Sequence, residues 1–318
     1  MFSLEKKHED GFDKIILKDD VTGTYAVILP GCGAVLHSFV VLTNGEAVNV
    51  IDSYNSADDF KKNAESKGFL GAKLSPFVCR LDHGKYQFAG QKYKFKNFYL
   101  GEHALHGILY NKAFTVTDEA ANHSECFATM KYEYRGEDPG YPFNYDCKVT
   151  WQLENDNKLS VTTECINKDD GLILIQDGWH PYFNLHAQVD ELQLEFQSKE
   201  MVEFNSELLP TGNLIPYSEF GSLKEIGSTA FDNCFTLNTD SCQPLCVLRN
   251  PAKKIEIELH PAKSYPYLQI YIPPHRNNIA IENISGAPNA FNNGMGFITL
   301  EPRASAVFKA TYKIKLLK

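Results

Sequence analysis

Apolar and polar side chains alternate one for one along several stretches of the chain. Leu159, Val161, Thr163 and Cys165 alternate with Ser160, Thr162 and Glu164, and Leu192, Leu194 and Phe196 with Gln193 and Glu195. Ile255, Ile257 and Leu259 alternate with Glu256 and Glu258, and Tyr312, Ile314 and Leu316 with Thr311, Lys313 and Lys315. Successive side chains of a strand point to opposite faces, so this period of two predicts half-buried strands. The last predicted strand pairs into the sheet system and orders the C-terminus. Helical signals are sparse. The best is Ser56 to Ala64, where Ser56 followed three residues later by Asp59 forms an N-cap arrangement. Asn205 to Ser228 is rich in turn formers and reads as a long surface loop.

No internal repeat, low-complexity tract or composition shift marks a linker. The pattern therefore predicts an all-β protein, a sandwich or barrel, with residues 1–318 forming a single domain. With 318 residues, 43% of them hydrophobic, the chain can bury a large core. No G-x-G-x-x-G follows a strand and no P-loop occurs, which argues against a nucleotide cofactor.

Charge narrows the partners. A formal net charge of −9, with no run of Lys and Arg, argues against a nucleic-acid or anionic-membrane surface and fits a neutral small molecule better. Met1 to Asp13 lacks the apolar core of a secretory leader, and no apolar stretch has the length of a membrane span. The eight cysteines lack the spacing of a zinc site or disulfide framework. Reduced thiols and a cytoplasmic location are the expectation.

Six residues have the chemistry of a polyol site. His180 lies among Trp179, Pro181, Tyr182 and Phe183, either as a buried structural histidine or as an acid–base group between aromatic walls. His106 precedes Gly107 and follows His103 by three positions. On a strand or loop such a pair faces different sides, and no acidic third ligand completes a metal set there, so no metal is expected. Glu282, in Ile279-Ala-Ile-Glu-Asn-Ile284, and Asp232, beside Phe231, are carboxylates in apolar surroundings, which need a partner or a function. Arg80, after Pro76-Phe-Val-Cys79, has a fork of donors that suits either sugar hydroxyls or a carboxylate. Tyr265, Tyr267 and Tyr271 surround Gln269, and amides beside aromatics suit a polyol with apolar ring faces.

Taken in order, these segments resemble the aldose 1-epimerase (galactose mutarotase-like) family over nearly the whole chain. Cys79-Arg80-Leu81 resembles the family's N-R-I segment, and Ala104-Leu-His-Gly107 its L-H-G motif. His180-Pro-Tyr-Phe-Asn-Leu185 matches H-P-Y-F-N-L, Ala230 to Phe235 resembles the segment of a substrate-binding aspartate, and Ile281 to Asn292 that of the catalytic glutamate. Cys79 and Gly178-Trp179 depart from the commoner pattern. The resemblance implies a single β-supersandwich with a sugar cleft, no metal and no organic cofactor. It implies Glu282 as general base, His180 as general acid and His106 in support, with Arg80, Asp232 and Gln269 holding hydroxyls of a monosaccharide. The protein is expected to act as a monomer or homodimer.

The expected reaction is interconversion of the α and β anomers of a free aldose. Ionised Glu282 and imidazolium His180 are expected to coexist near neutrality, a carboxylate favouring the charged imidazole. A hexose-phosphate epimerase, which needs cations at the cleft rim, and a non-catalytic sugar-binding protein are the alternatives. A glycosidase needs two flanking carboxylates, whereas the sequence offers a Glu and His pair.

Overall fold

The computed structural model describes residues 1–43 and 45–318. Two antiparallel sheets carry most of it. The first runs in the order 115–121, 125–135, 144–154, 158–167, 305–316, 255–261, 246–250, 193–196 and 224–225. The second runs 210–216, 198–204, 232–237, 267–271, 279–284, 178–180 and 72–74, with the short strands Tyr182–Phe183 and Ile51–Asp52 attached. A five-stranded N-terminal meander, from Phe2–Glu9 to Glu46–Asn49, adds to the same core.

Period-two patterning explains how the sheets meet. Leu159, Val161 and Cys165 join Tyr312 and Ile314 of the first sheet in one apolar cluster with Leu268, Ile270, Ile279 and Ile281 of the second. Trp151 and Trp179 bridge the layers with ring centroids 5.3 Å apart. The alternate residues of the second sheet, among them Gln269, Tyr271 and Glu282, are left for its other face, where a cavity lies. All-β architecture is thus the observed class. The only two α-helices among the described residues are Ala57–Asn63 and Ala290–Asn293. Ser56 caps the first, its Oγ accepting the Asp59 N–H at 3.1 Å.

Two expectations change. Residues 205–228 are not a plain loop: Pro210–Pro216 pairs with Ser198–Phe204, with Val202 opposite Leu214. This is an exposed edge strand, so burial does not alternate along it and the hydrophobic pattern conceals it. Glu256 and Glu258 alternate with apolar residues as expected, yet both are buried. Arg249 Nε donates to Glu256 at 2.6 Å and Lys315 Nζ to Glu258 at 2.5 Å, the long basic side chains covering the acids they neutralise.

Candidate active site

A cavity of about 340 Å3 lies over the free face of the second sheet. Arg80, His106, His180, Asp232, Gln269 and Glu282 all line it. Sheet register brings four of them together. Gln269 is the register partner of Cys234 on one side and of Glu282 on the other, while Tyr271 lies between Asp232 and Ala280. Gly178 opposes Ile284, so two residues further along these antiparallel strands His180 reaches Glu282. Their Nε2 and Oε1 atoms are 3.3 Å apart.

The other two arrive from connecting segments. Arg80 begins the two-residue strand Arg80–Leu81, which pairs with His103–Leu105. His106 then turns into the cavity with φ +61°, followed by Gly107 at +74°. A Cβ at Gly107 would lie 2.1 Å from the Ser75 carbonyl oxygen, so this turn requires glycine. His106 stands edge-on to His180, ring centroids 4.8 Å apart, with Phe69 packed against its other side at 5.1 Å. His103 points elsewhere, as expected for residues three apart.

Burial sets the electrostatics. Desolvation raises the Glu282 carboxyl well above its usual range, and the nearby Asp232 charge adds to the effect. It lowers His180 to about 4 and His106 well below the ordinary imidazole range. Burial therefore weighs against the ion pair expected from the sequence and toward the neutral forms of both groups. Removal from water penalises the charged form of both groups, raising the carboxyl and lowering the imidazole. Asp232 is also raised by burial, opposed by Arg80 and by the Gln269 Nε2 bond to its Oδ1 at 3.1 Å. The cavity thus holds both carboxyl groups that the sequence singled out, Glu282 buried and Asp232 half-buried.

Three buried polar atoms, His106 Nδ1, His180 Nδ1 and Gln269 Oε1, have no hydrogen-bond partner among the described residues. Such atoms are costly unless a bound molecule satisfies them. Arg80 makes no ion pair among the described residues. Together with Asp232 they offer the donors and acceptors of a polyol site, and Tyr182 and Tyr271 supply aromatic surface. At the mouth, Glu65 and His275 are exposed, and Lys67 is paired with Asp59 at 2.6 Å.

Sequence reasoning missed two features. Cys79 Sγ donates to Glu282 Oε2 at 3.8 Å; the departure at this position was visible, its direction was not. Behind the cavity, Lys73 pairs with Asp177, both side chains fully buried, while the Tyr265 hydroxyl donates to Asp177 at 2.6 Å. Lys73 also lies 4.6 Å from the Trp179 ring centroid. Tyr265 therefore belongs to this internal network and not to the cluster around Gln269. A lysine between Ala72 and Leu74 was the available signal.

The aldose 1-epimerase family model matches residues 13–313. The chain belongs to the aldose 1-epimerase family. The uncharacterized YihR protein of Escherichia coli K12 is 26% identical over 240 residues, 73% of this chain and 75% of that protein. An aldose 1-epimerase of Streptococcus thermophilus is 22% identical over 267 residues, 78% of this chain and 71% of that enzyme. A galactose mutarotase-like protein of Clostridium acetobutylicum has the same fold, with a TM-score of 0.86, 18% identity and 99% of each chain covered. The β-supersandwich implied by the sequence motifs is the fold of this family member.

Proposed function

We propose that this chain is a mutarotase, interconverting the α and β anomers of a free aldose by opening and reclosing the hemiacetal ring, with residues 1–318 acting as one domain. The observation that carries this reading is the buried Glu282–His180 pair, 3.3 Å apart on the cavity floor. Ring opening removes the proton of the anomeric hydroxyl and delivers one to the ring oxygen, so it needs a base and an acid held together. The competent form of the pair carries one proton. Glu282 as carboxylate takes the O1 proton while His180 as imidazolium protonates O5. Substrate hydroxyls assist by standing in for part of the hydration that burial removes, drawing the pair from its neutral form toward the charged one.

Cleavage of the C1–O5 bond leaves an aldehyde at C1. Rotation about C1–C2 presents its other face to O5, and the reverse proton transfers close the ring to the other anomer. His106, held neutral by burial, accepts or donates a hydrogen bond at the reacting oxygens. Arg80, Asp232 and Gln269 hold hydroxyls away from the reacting carbon. The Lys67–Asp59 pairing and the exposed Glu65 at the mouth favour a neutral sugar over a sugar phosphate.

The test is NMR anomer exchange or polarimetry with glucose, galactose, xylose, arabinose and a hexose 6-phosphate. Acceleration with at least one free aldose is expected. Calorimetric binding with no acceleration would favour a non-catalytic sugar-binding protein. Acceleration confined to the phosphorylated sugar would replace the proposed substrate.

A further inference from the structure

Outside the cavity, Asp82, His83 and His103 offer one donor atom each, and these atoms all lie within 4.8 Å of one another. Asp82 Oδ1 stands 2.5 Å from His83 Nδ1 and 3.4 Å from His103 Nδ1. The His83 backbone N–H donates to His103 Nδ1 at 3.1 Å, so that nitrogen is an unprotonated acceptor. An acceptor nitrogen and a carboxylate oxygen therefore share one small space, which favours a positive charge between them. The opposite edge of His83 is also engaged, its Nε2 lying 3.1 Å from Glu102 Oε2. A histidine that ligates a metal through one ring nitrogen commonly donates its other N–H to a carboxylate, and His83 is placed in that way.

We propose that Asp82 Oδ1, His83 Nδ1 and His103 Nδ1 form a site for one divalent cation of the zinc class, with Glu102 orienting His83 from outside. Two imidazoles and one carboxylate are a donor set that Zn2+ accepts, water supplying a fourth position. Zinc bonds of about 2.0–2.1 Å place tetrahedral donors about 3.3–3.4 Å apart, which the Asp82–His103 edge already satisfies. The Asp82–His83 edge must open, and both side chains are 44% exposed and have room to move. His103, only 10% exposed, is the fixed member. Binding displaces the His83 N–H from His103 Nδ1. The cation fastens the turn after Arg80–Leu81 to the start of His103–Leu105, so it clamps the two strands that carry Arg80 and His106 to the cavity. The clamp lies outside the proposed ring-opening chemistry, and the two proposals stand or fall separately.

The test is equilibrium dialysis of the full chain against Zn2+, followed by measurement of bound metal. Wild type is expected to retain one tightly held Zn2+ per chain, and so is Cys242→Ser, which removes the exposed thiol. Affinity should fall at least tenfold in His83→Asn, where asparagine tolerates the φ of +46°, and about 10–100-fold in Glu102→Gln. Glu102 is exposed and His83 half-exposed, and circular dichroism checks that the fold is intact. With Co2+ in place of Zn2+, visible bands of nitrogen and oxygen ligation without a thiolate charge-transfer band support the site. Failure to retain Zn2+ at 0.1 mM free metal, on the order of ordinary surface affinity, would overturn it. Equal retention by wild type and His83→Asn, or a thiolate band, would do the same.

Discussion

Glu282 and His180 meet across two adjacent strands with 3.3 Å between carboxylate oxygen and imidazole nitrogen, and neither side chain is more than 5% exposed. Groups so close and so dry titrate as a pair, and their protons must be counted together. Four expectations follow from that pair and from the network behind it.

Removing either member should abolish the proposed reaction. Glu282→Gln and His180→Asn keep shape and polarity while losing the transferable proton, so each should slow anomer exchange by about two orders of magnitude or more. Circular dichroism should be unchanged. Near-normal exchange in either variant would remove the pair from the mechanism.

Activity should depend on pH as the pair does. The one-proton form is lost on the acid side as His180, lowered to about 4, takes up a second proton. It is lost on the alkaline side as Glu282, raised by burial, gives up its proton. The kcat/KM profile should therefore stay flat below the ordinary imidazole range and fall only near pH 4. An acid limb centred near 6.5, where free imidazole titrates, would contradict the environment described for His180.

The same burial should make Glu282 a stability cost. Its folded pKa lies above its unfolded one, so its contribution to stability is present at low pH and is lost as pH rises from about 4.3 through the folded value. Glutamine does not titrate. Glu282→Gln should thus be more stable than wild type at neutral pH, by about 0.5–2 kcal/mol, with the gain vanishing below pH 4. Urea titrations at pH 4 and 7 measure both differences, and a gain independent of pH would contradict this account.

Lys73 and Asp177 should be strongly coupled. Breaking a fully buried ion pair leaves one charge uncompensated, so Lys73→Met or Asp177→Asn should destabilise by about 3–5 kcal/mol. The double variant should cost less than the sum of the two singles. Additive losses in a double-mutant cycle would show that the pair is not a unit.

The sequence carried the strand content and the six cavity residues because each rests on a local signal. Alternation marks strands such as Lys158–Asn167, and short motifs mark Arg80, His106 and His180. The edge strand Pro210–Pro216 was hidden because neither of its faces is well buried. The effect of burial on Glu282 and His180 was hidden for a different reason. Sequence shows that a carboxylate and an imidazole are available, whereas the balance between attraction and desolvation depends on how completely the sheet and its loops cover them. Lys73 and Asp177 are 104 positions apart, and only the pairing of Ala72–Leu74 with Gly178–His180 makes them neighbours.

One consequence of the strand rows reaches beyond chemistry. Glu282 faces the cavity while Ile281, beside it, faces the core. If Ile279–Ile284 were displaced by one residue, every side chain would change face, giving the cavity isoleucine and driving a carboxylate among the apolar residues between the sheets. A misregistered chain would lose its proposed catalytic groups and its packing together. Under the proposed function, activity recovered after denaturation is therefore a measure of correct strand pairing, and an anomer-exchange assay would double as a refolding assay for the fully buried strand Ile279–Ile284.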